Sequence, residues 1–251
     1  MESARSTARQ IGDWLDQRLD AERFRVAEPE NGLIVDAGGS VRLITSAVNT
    51  SFAAIARAAG VGADLLLVHH ASWSYIDLAL HERKLAALRD ANLSLYCAHA
   101  SLDCAEEKTG RALAEVLEIP VDQRFAPYEG GLAGVCGPTA GAWSRFLEML
   151  SERLGKVPEV HRNNERFKRV GIVPGAGGLT GWLQEAQQLG CDTYLTGEGS
   201  MYTRLFAKEI GLNLIVAGHD LTETPGIEAL AQATASHFGL SAVAIREPHI
   251  G

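Results

Sequence analysis

Short apolar runs rich in Val, Ile and Leu alternate along the chain with stretches whose apolar residues recur at helical spacing, beginning with Ile11, Trp14, Leu15 and Leu19. Strands are predicted at 32–38, 41–48, 64–70, 94–99, 131–137, 169–175, 192–197, 212–219 and 240–247, with helices filling most of the gaps. Strand and helix units in alternation imply an α/β fold on largely parallel sheets. The pattern is weakest over 122–137, DQRFAPYEGGLAGVCG, whose Gly and Pro content suits either a hairpin or a connection between two lobes.

The pattern repeats. Gly62-Ala63-Asp64, four strand residues and His69-His70 answer Gly190-Cys191-Asp192, four strand residues and Gly197-Glu198 at an offset of 128 residues. One helix later, YCAHASLD (96–103) and VAGHDLTE (216–223) both end a strand in His-x-x-x-acid. Two similar α/β lobes from an internal duplication are expected, spanning 1–125 and 126–251, with a metal site between them.

Composition narrows the function classes. The 251 residues can bury about 70–75% of the unfolded surface without staples. Net charge of −8 argues against a protein that tracks nucleic-acid phosphates. No run approaches 18 apolar residues, so no span of a membrane is expected, and no signal-peptide core opens the chain. Cys97, Cys104, Cys136 and Cys191 include no CxxC pair and are expected to be buried reduced thiols of a cytoplasmic protein.

Ligands of open α/β sheets bind beyond the carboxyl ends of strands, and His69, His70, His99, Asp103, Glu198, His219 and Glu223 all fall there. Imidazoles mixed with carboxylates suit two divalent ions such as zinc, iron, manganese or nickel. Neighbouring side chains on a strand point to opposite faces, so His69 and His70 are expected to serve different ions, with Glu223 or Asp103 spanning the gap. Each residue also has an ordinary structural role open to it. Asp103 with Glu106 fits a helix capping box, Thr224-Pro225 fits a helix start that leaves Glu223 outside, and Trp73 and Tyr202 fit the core. His81, in HERK, is expected to be solvated and is set aside. The segment Gly175-Ala-Gly177-Gly178-Leu-Thr-Gly181 lacks dinucleotide-site spacing and is read as a close backbone approach or an anion nest. No P-loop, HExxH or GxSxG motif occurs.

LLLVHHASW, YCAHASLD, VPGAGG, YLTGE and VAGHDLTE together resemble the hallmark segments of the Nif-three-like family, the dinuclear metal-centre hexameric proteins known as GTP cyclohydrolase type 2 homologues, over about 31–245. The resemblance implies a single Nif-three-like unit without the inserted domain of longer relatives, metal ligands at His69, His70, Asp103, His219 and a bridging Glu223, and His99 lining the site. It also implies a homo-oligomer, a hexamer, and a small-molecule substrate such as a nucleotide. Ala71 stands where the family usually has Pro, and Gly199-Ser200-Met201-Tyr202 where it often has basic residues or His. Two functions are expected from this: a metal-dependent hydrolase with Glu198 or His99 moving protons, or a non-enzymatic metal-bearing ring that binds partners or buffers metal.

Overall fold

A computed structural model describes residues 6–105 and 109–249. The chain forms two compact units, Met1–Glu106 with Ile227–Pro248, and Glu107–Gly226 with His249–Gly251. The halves expected from the sequence were contiguous; the units interleave because the last strand returns to pair with an early one.

The first unit contains α1 (Ala8–Leu19), α2 (Ala21–Phe24), β1 (Gly32–Val35), β2 (Leu43–Asn49), α3 (Phe52–Gly60), β3 (Leu65–His70), α4 (Ser74–Asp77), α5 (Ala79–Asp90), β4 (Ser94–Cys97) and α6 (Ala100–Cys104). The second contains α7 (Thr109–Val116), β5 (Gln123–Tyr128), β6 (Gly131–Pro138), α8 (Trp143–Leu154), β7 (Glu159–His161), β8 (Arg169–Val173), α9 (Thr180–Gln188), β9 (Thr193–Thr196), α10 (Met201–Glu209) and β10 (Asn213–Val216). Helix α11 (His219–Phe238) starts among residues of the second unit and continues into the first, which β11 (Ser241–Ala244) completes.

In the first unit the sheet order is β1-β4-β3-β2-β11, with β1 antiparallel and the other neighbours parallel. Both faces are covered, as the continuous apolar run of β3 requires. Leu65 and Leu67 pack with Ile11, Leu15 and Leu230 on one face, while Leu66 and Val68 pack with Ile55, Ala58 and Leu88 on the other. All four strand residues are fully buried, each leucine worth ~1.5–3 kcal/mol. That rigid strand carries His69 and His70 at its end.

In the second unit the order is β5-β6-β8-β9-β10-β7, with β8, β9 and β10 parallel and the remaining pairs antiparallel. Ile172 and Leu195 face Leu113, Phe146 and Leu150, and Val173 and Tyr194 face Leu183, Ala186 and Ala207. The stretch 122–137 is the β5–β6 hairpin, internal to this unit, so the hairpin alternative holds. All nine predicted strands are present; β5 and β7 add to them, β7 being three half-exposed residues after a proline.

The duplication is visible in the hydrogen bonds. Ala63 N donates to Ala58 O and Cys191 N to Ala186 O, after left-handed Gly62 and Gly190, which close α3 and α9 in the same way. Asp64 then accepts from Ser94 N, and Asp192 from Asn213 N, through their carbonyls. Ala98 N donates to Val68 O and Ala217 N to Thr196 O. This register aligns His99 with Gly218 rather than with His219, so the His-x-x-x-acid match is displaced by one residue. Among the described residues no helix is long and apolar enough to cross a membrane.

Candidate metal centre

In the first unit three imidazoles gather at the ends of β3 and β4. His69 Nδ1 donates to Ala98 O at 2.7 Å, and a carbonyl can only accept, so the lone pair of the neutral ring is on Nε2. His70 Nδ1 lies 2.8 Å from Asn49 Oδ1, and His99 Nδ1 lies 2.8 Å from Glu28 Oε2. One ring nitrogen from each of the three lies within 4.8 Å of the other two. Ring centroids of His69 and His70 are 4.9 Å apart, so the strand alternation expected to separate them does not: His70 is the last residue of the strand, and the rings meet beyond it. Asp103 Oδ1 lies 3.6 Å from His69 Nε2. Trp73 stands edge-on to His99 at 5.2 Å and walls the group.

In the second unit His219 opens α11 and Glu223 follows one helical turn later, which puts the carboxylate Oε1 3.1 Å from His219 Nε2. Helix α11 thus begins earlier than Thr224-Pro225, and Pro225 is interior. Threonine hydroxyls serve carbonyls around it: Thr222 Oγ1 donates to Gly218 O and His219 O, and Thr224 Oγ1 to Asp220 O. His219 Nδ1 is held by Glu198 Oε1 at 2.7 Å. Burial pulls the His219 imidazole down, but the hydrogen bond and charge of Glu223, followed by those of Glu198, outweigh it and raise its pKa to about 9.

The glycine segment is a close backbone approach. A Cβ on Gly175, whose φ is +60°, would lie 2.0 Å from Glu223 Oε1. Only glycine leaves room for that carboxylate. Gly175 O in turn accepts Glu198 N at 2.8 Å, fixing the end of β9.

The structure thus groups His69, His70, His99 and Asp103 in one unit, and Glu198, His219 and Glu223 in the other. Asp103 lies inside α6 instead of capping a helix, and Glu106 lies outside the described residues. His81 is not solvated: its side chain is 18% exposed, and Nδ1 lies 3.2 Å from Ser72 Oγ. Tyr202 is 66% exposed, hence not core, because α10 presents it to solvent. Sequence reasoning missed Glu28, Asn31 and Asn49, which lie far from the strand ends they serve. Each of these four imidazoles, three in the first unit and one in the second, binds a partner through Nδ1, an arrangement typical of metal-ligating histidines, whose outer nitrogen is anchored so that the inner one can coordinate. With the carboxylates of Asp103 and Glu223 beside Nε2 of His69 and of His219, these donors suit a borderline divalent ion.

The family model described as Duf34/NIF3 (NGG1p interacting factor 3) matches residues 6–248. A Deinococcus radiodurans protein named GTP cyclohydrolase 1 type 2 homolog is 35% identical over 217 residues, covering 84% of this chain and 82% of that protein. A Halobacterium salinarum protein of the same name is 35% identical over 242 residues, covering 90% and 94%. Among solved structures, the Thermus thermophilus protein TTHA1606 superposes with TM-score 0.81 at 30% identity, covering 97% of this chain and 99% of that one. A protein described as ybgI, of unknown function, gives TM-score 0.83 at 26% identity, covering 97% and 99%.

Proposed function

The chain belongs to the Duf34/NIF3 family, and from that premise we propose that it holds two divalent metal ions and is a metal-dependent hydrolase of the GTP cyclohydrolase type 2 kind, acting on a small molecule such as a nucleotide. His69, His70, Asp103, His219 and Glu223 would hold the ions. The observation that carries this reading is that each of the four imidazoles is anchored through Nδ1, with three rings grouped in the first unit and His219 Nε2 turned to Glu223 in the second.

Bound divalent ions would supply Lewis acidity, lowering the pKa of a water molecule and polarising the bond to be cleaved. His99, tied to Glu28 through Nδ1, lines the His69 and His70 group with its other ring nitrogen. Glu198 orients His219 and, with 59% of its side chain exposed, links that imidazole to solvent. Because His219 is protonated near neutrality without metal, binding releases a proton and weakens as pH falls. Four buried cysteines, none in a disulfide, fit a reducing compartment, the cytoplasm.

A second reading, a metal-bearing homo-oligomer such as a hexamer that binds partners or buffers metal, is favoured by Tyr75, Ile76 and Leu78, which are 73%, 59% and 71% exposed just after the twin histidines. Turnover of a nucleotide, ester and amide panel by metal-loaded protein, with chelated protein as control, separates the two. Chelator-sensitive turnover supports the hydrolase. Its absence across the panel, with metal bound and a six-chain mass by light scattering, supports the assembly.

A further inference from the structure

The turn that carries His99 is held from a segment about seventy residues earlier in the chain. Glu28 Oε2 accepts His99 Nδ1–H at 2.8 Å, Ala100 N–H at 3.2 Å and an Asn31 Nδ2–H at 2.7 Å. Asn31, 2% exposed, uses its Oδ1 to accept His99 N–H at 3.0 Å and Ser101 Oγ–H at 2.9 Å. The Asn31 carbonyl accepts Arg25 Nε at 2.7 Å, and Arg25 is itself paired with Asp16. Restraint therefore passes from α1, through the loop before β1, to the turn after β4.

The chemistry of this contact decides which nitrogen of His99 is available. An ionised carboxylate only accepts hydrogen bonds, so Nδ1 carries the proton and Nε2 keeps its lone pair. Without such an acceptor an imidazole side chain favours the opposite tautomer, with a proton on Nε2, which cannot bind a cation. We propose that Glu28, held by Asn31, is the positioning residue that fixes the tautomer and ring orientation of His99, so that Nε2 is presented to a divalent cation shared with His69 and His70. Glu198 plays the corresponding part for His219. The inference rests on the reading that the His69, His70 and His99 group takes a divalent ion.

Histidine-ring nitrogen NMR on metal-free protein reads the tautomer directly, and competition titration with zinc reads the consequence. In the wild type, His99 should show Nδ1–H and a bare Nε2. Glu28→Ala should move the proton to Nε2 and weaken zinc binding about 10–100-fold, the range for loss of a partner behind a ligand. Glu28→Gln, whose amide oxygen can still accept, should restore the Nδ1–H form and most of the affinity. Should Glu28→Ala fail to fold, the glutamine variant decides. An unchanged tautomer and affinity in Glu28→Ala, or an Nε2–H tautomer in Glu28→Gln, overturns the proposal. A tautomer that shifts as described in a protein that takes up no zinc supports the positioning role and defeats only the metal reading.

Discussion

The first unit ends its third strand in two imidazoles, and the second ends the matching strand in Gly197-Glu198, although the turns feeding the two strands are nearly identical. Asp64 and Asp192 occupy the same place in those turns: Asp64 Oδ2 accepts Arg42 N–H and Leu43 N–H, and Asp192 Oδ2 accepts Lys168 N–H. Between these two matched strands the difference that bears on the donors lies at their ends. There the first unit supplies mainly nitrogen donors, whereas the second places a carboxylate over one imidazole and uses Gly175, against Asn49 at the position matched by strand register, to make room for it. A duplicated scaffold can keep its backbone bonds while its two copies acquire different halves of a donor set.

The largest effect should come from breaking the carboxylate half. Glu223→Gln keeps shape but removes the charge that would offset repulsion between two bound dications, and metal content should fall below one equivalent with circular dichroism unchanged. His70→Ala should leave about one equivalent, since a terminal ligand serves one ion. Gly175→Ala should resemble Glu223→Gln, because its Cβ would displace that carboxylate. If His70→Ala empties the protein and Glu223→Gln does not, the two halves have been assigned the wrong way round.

The shared scaffold should respond differently. Asp64→Ala and Asp192→Ala each leave strand-end N–H groups without their acceptor and should lower unfolding free energy by about 1–3 kcal/mol in urea titrations, the more for buried Asp192, with metal content unchanged. Loss of metal in either variant would show that scaffold and site are not separable.

How much of this was legible follows from where each signal lies. Strand centres announce themselves through runs such as LLLV, and the donors through their position at the ends of those runs. Residues that orient the donors have no such local signature. Glu28 acts on His99, and Asn49 on His70 across a parallel strand pair, so both became visible only once the sheet was assembled. Pro225 misled for a physical reason: proline favours helix starts, yet here it sits in the second turn of a helix that begins at His219, whose first carbonyls also accept the Thr222 and Thr224 hydroxyls. That earlier start is what brings Glu223 over the imidazole.

A smaller effect belongs to the second unit alone. The Arg204 guanidinium, 2.6 Å from Glu159 through two nitrogens, holds that carboxyl at about 2, below its usual 4.5, with help from His161. A lowered carboxyl contributes stability above its unfolded value and loses it as pH falls from about 4.5 to about 2. Since the Glu159 side chain is 44% exposed, high salt should blunt the effect. Glu159→Gln should flatten stability over that window without changing metal content; an unaltered acid profile would remove the pair from the account.

The central claim is that two differently built donor sets hold two divalent ions. Elemental analysis of gently purified wild-type protein, repeated after chelation and reloading at neutral pH, tests it most directly. The account predicts close to two equivalents per chain before chelation and again after reloading. A protein isolated without metal that takes up none on reloading contradicts it.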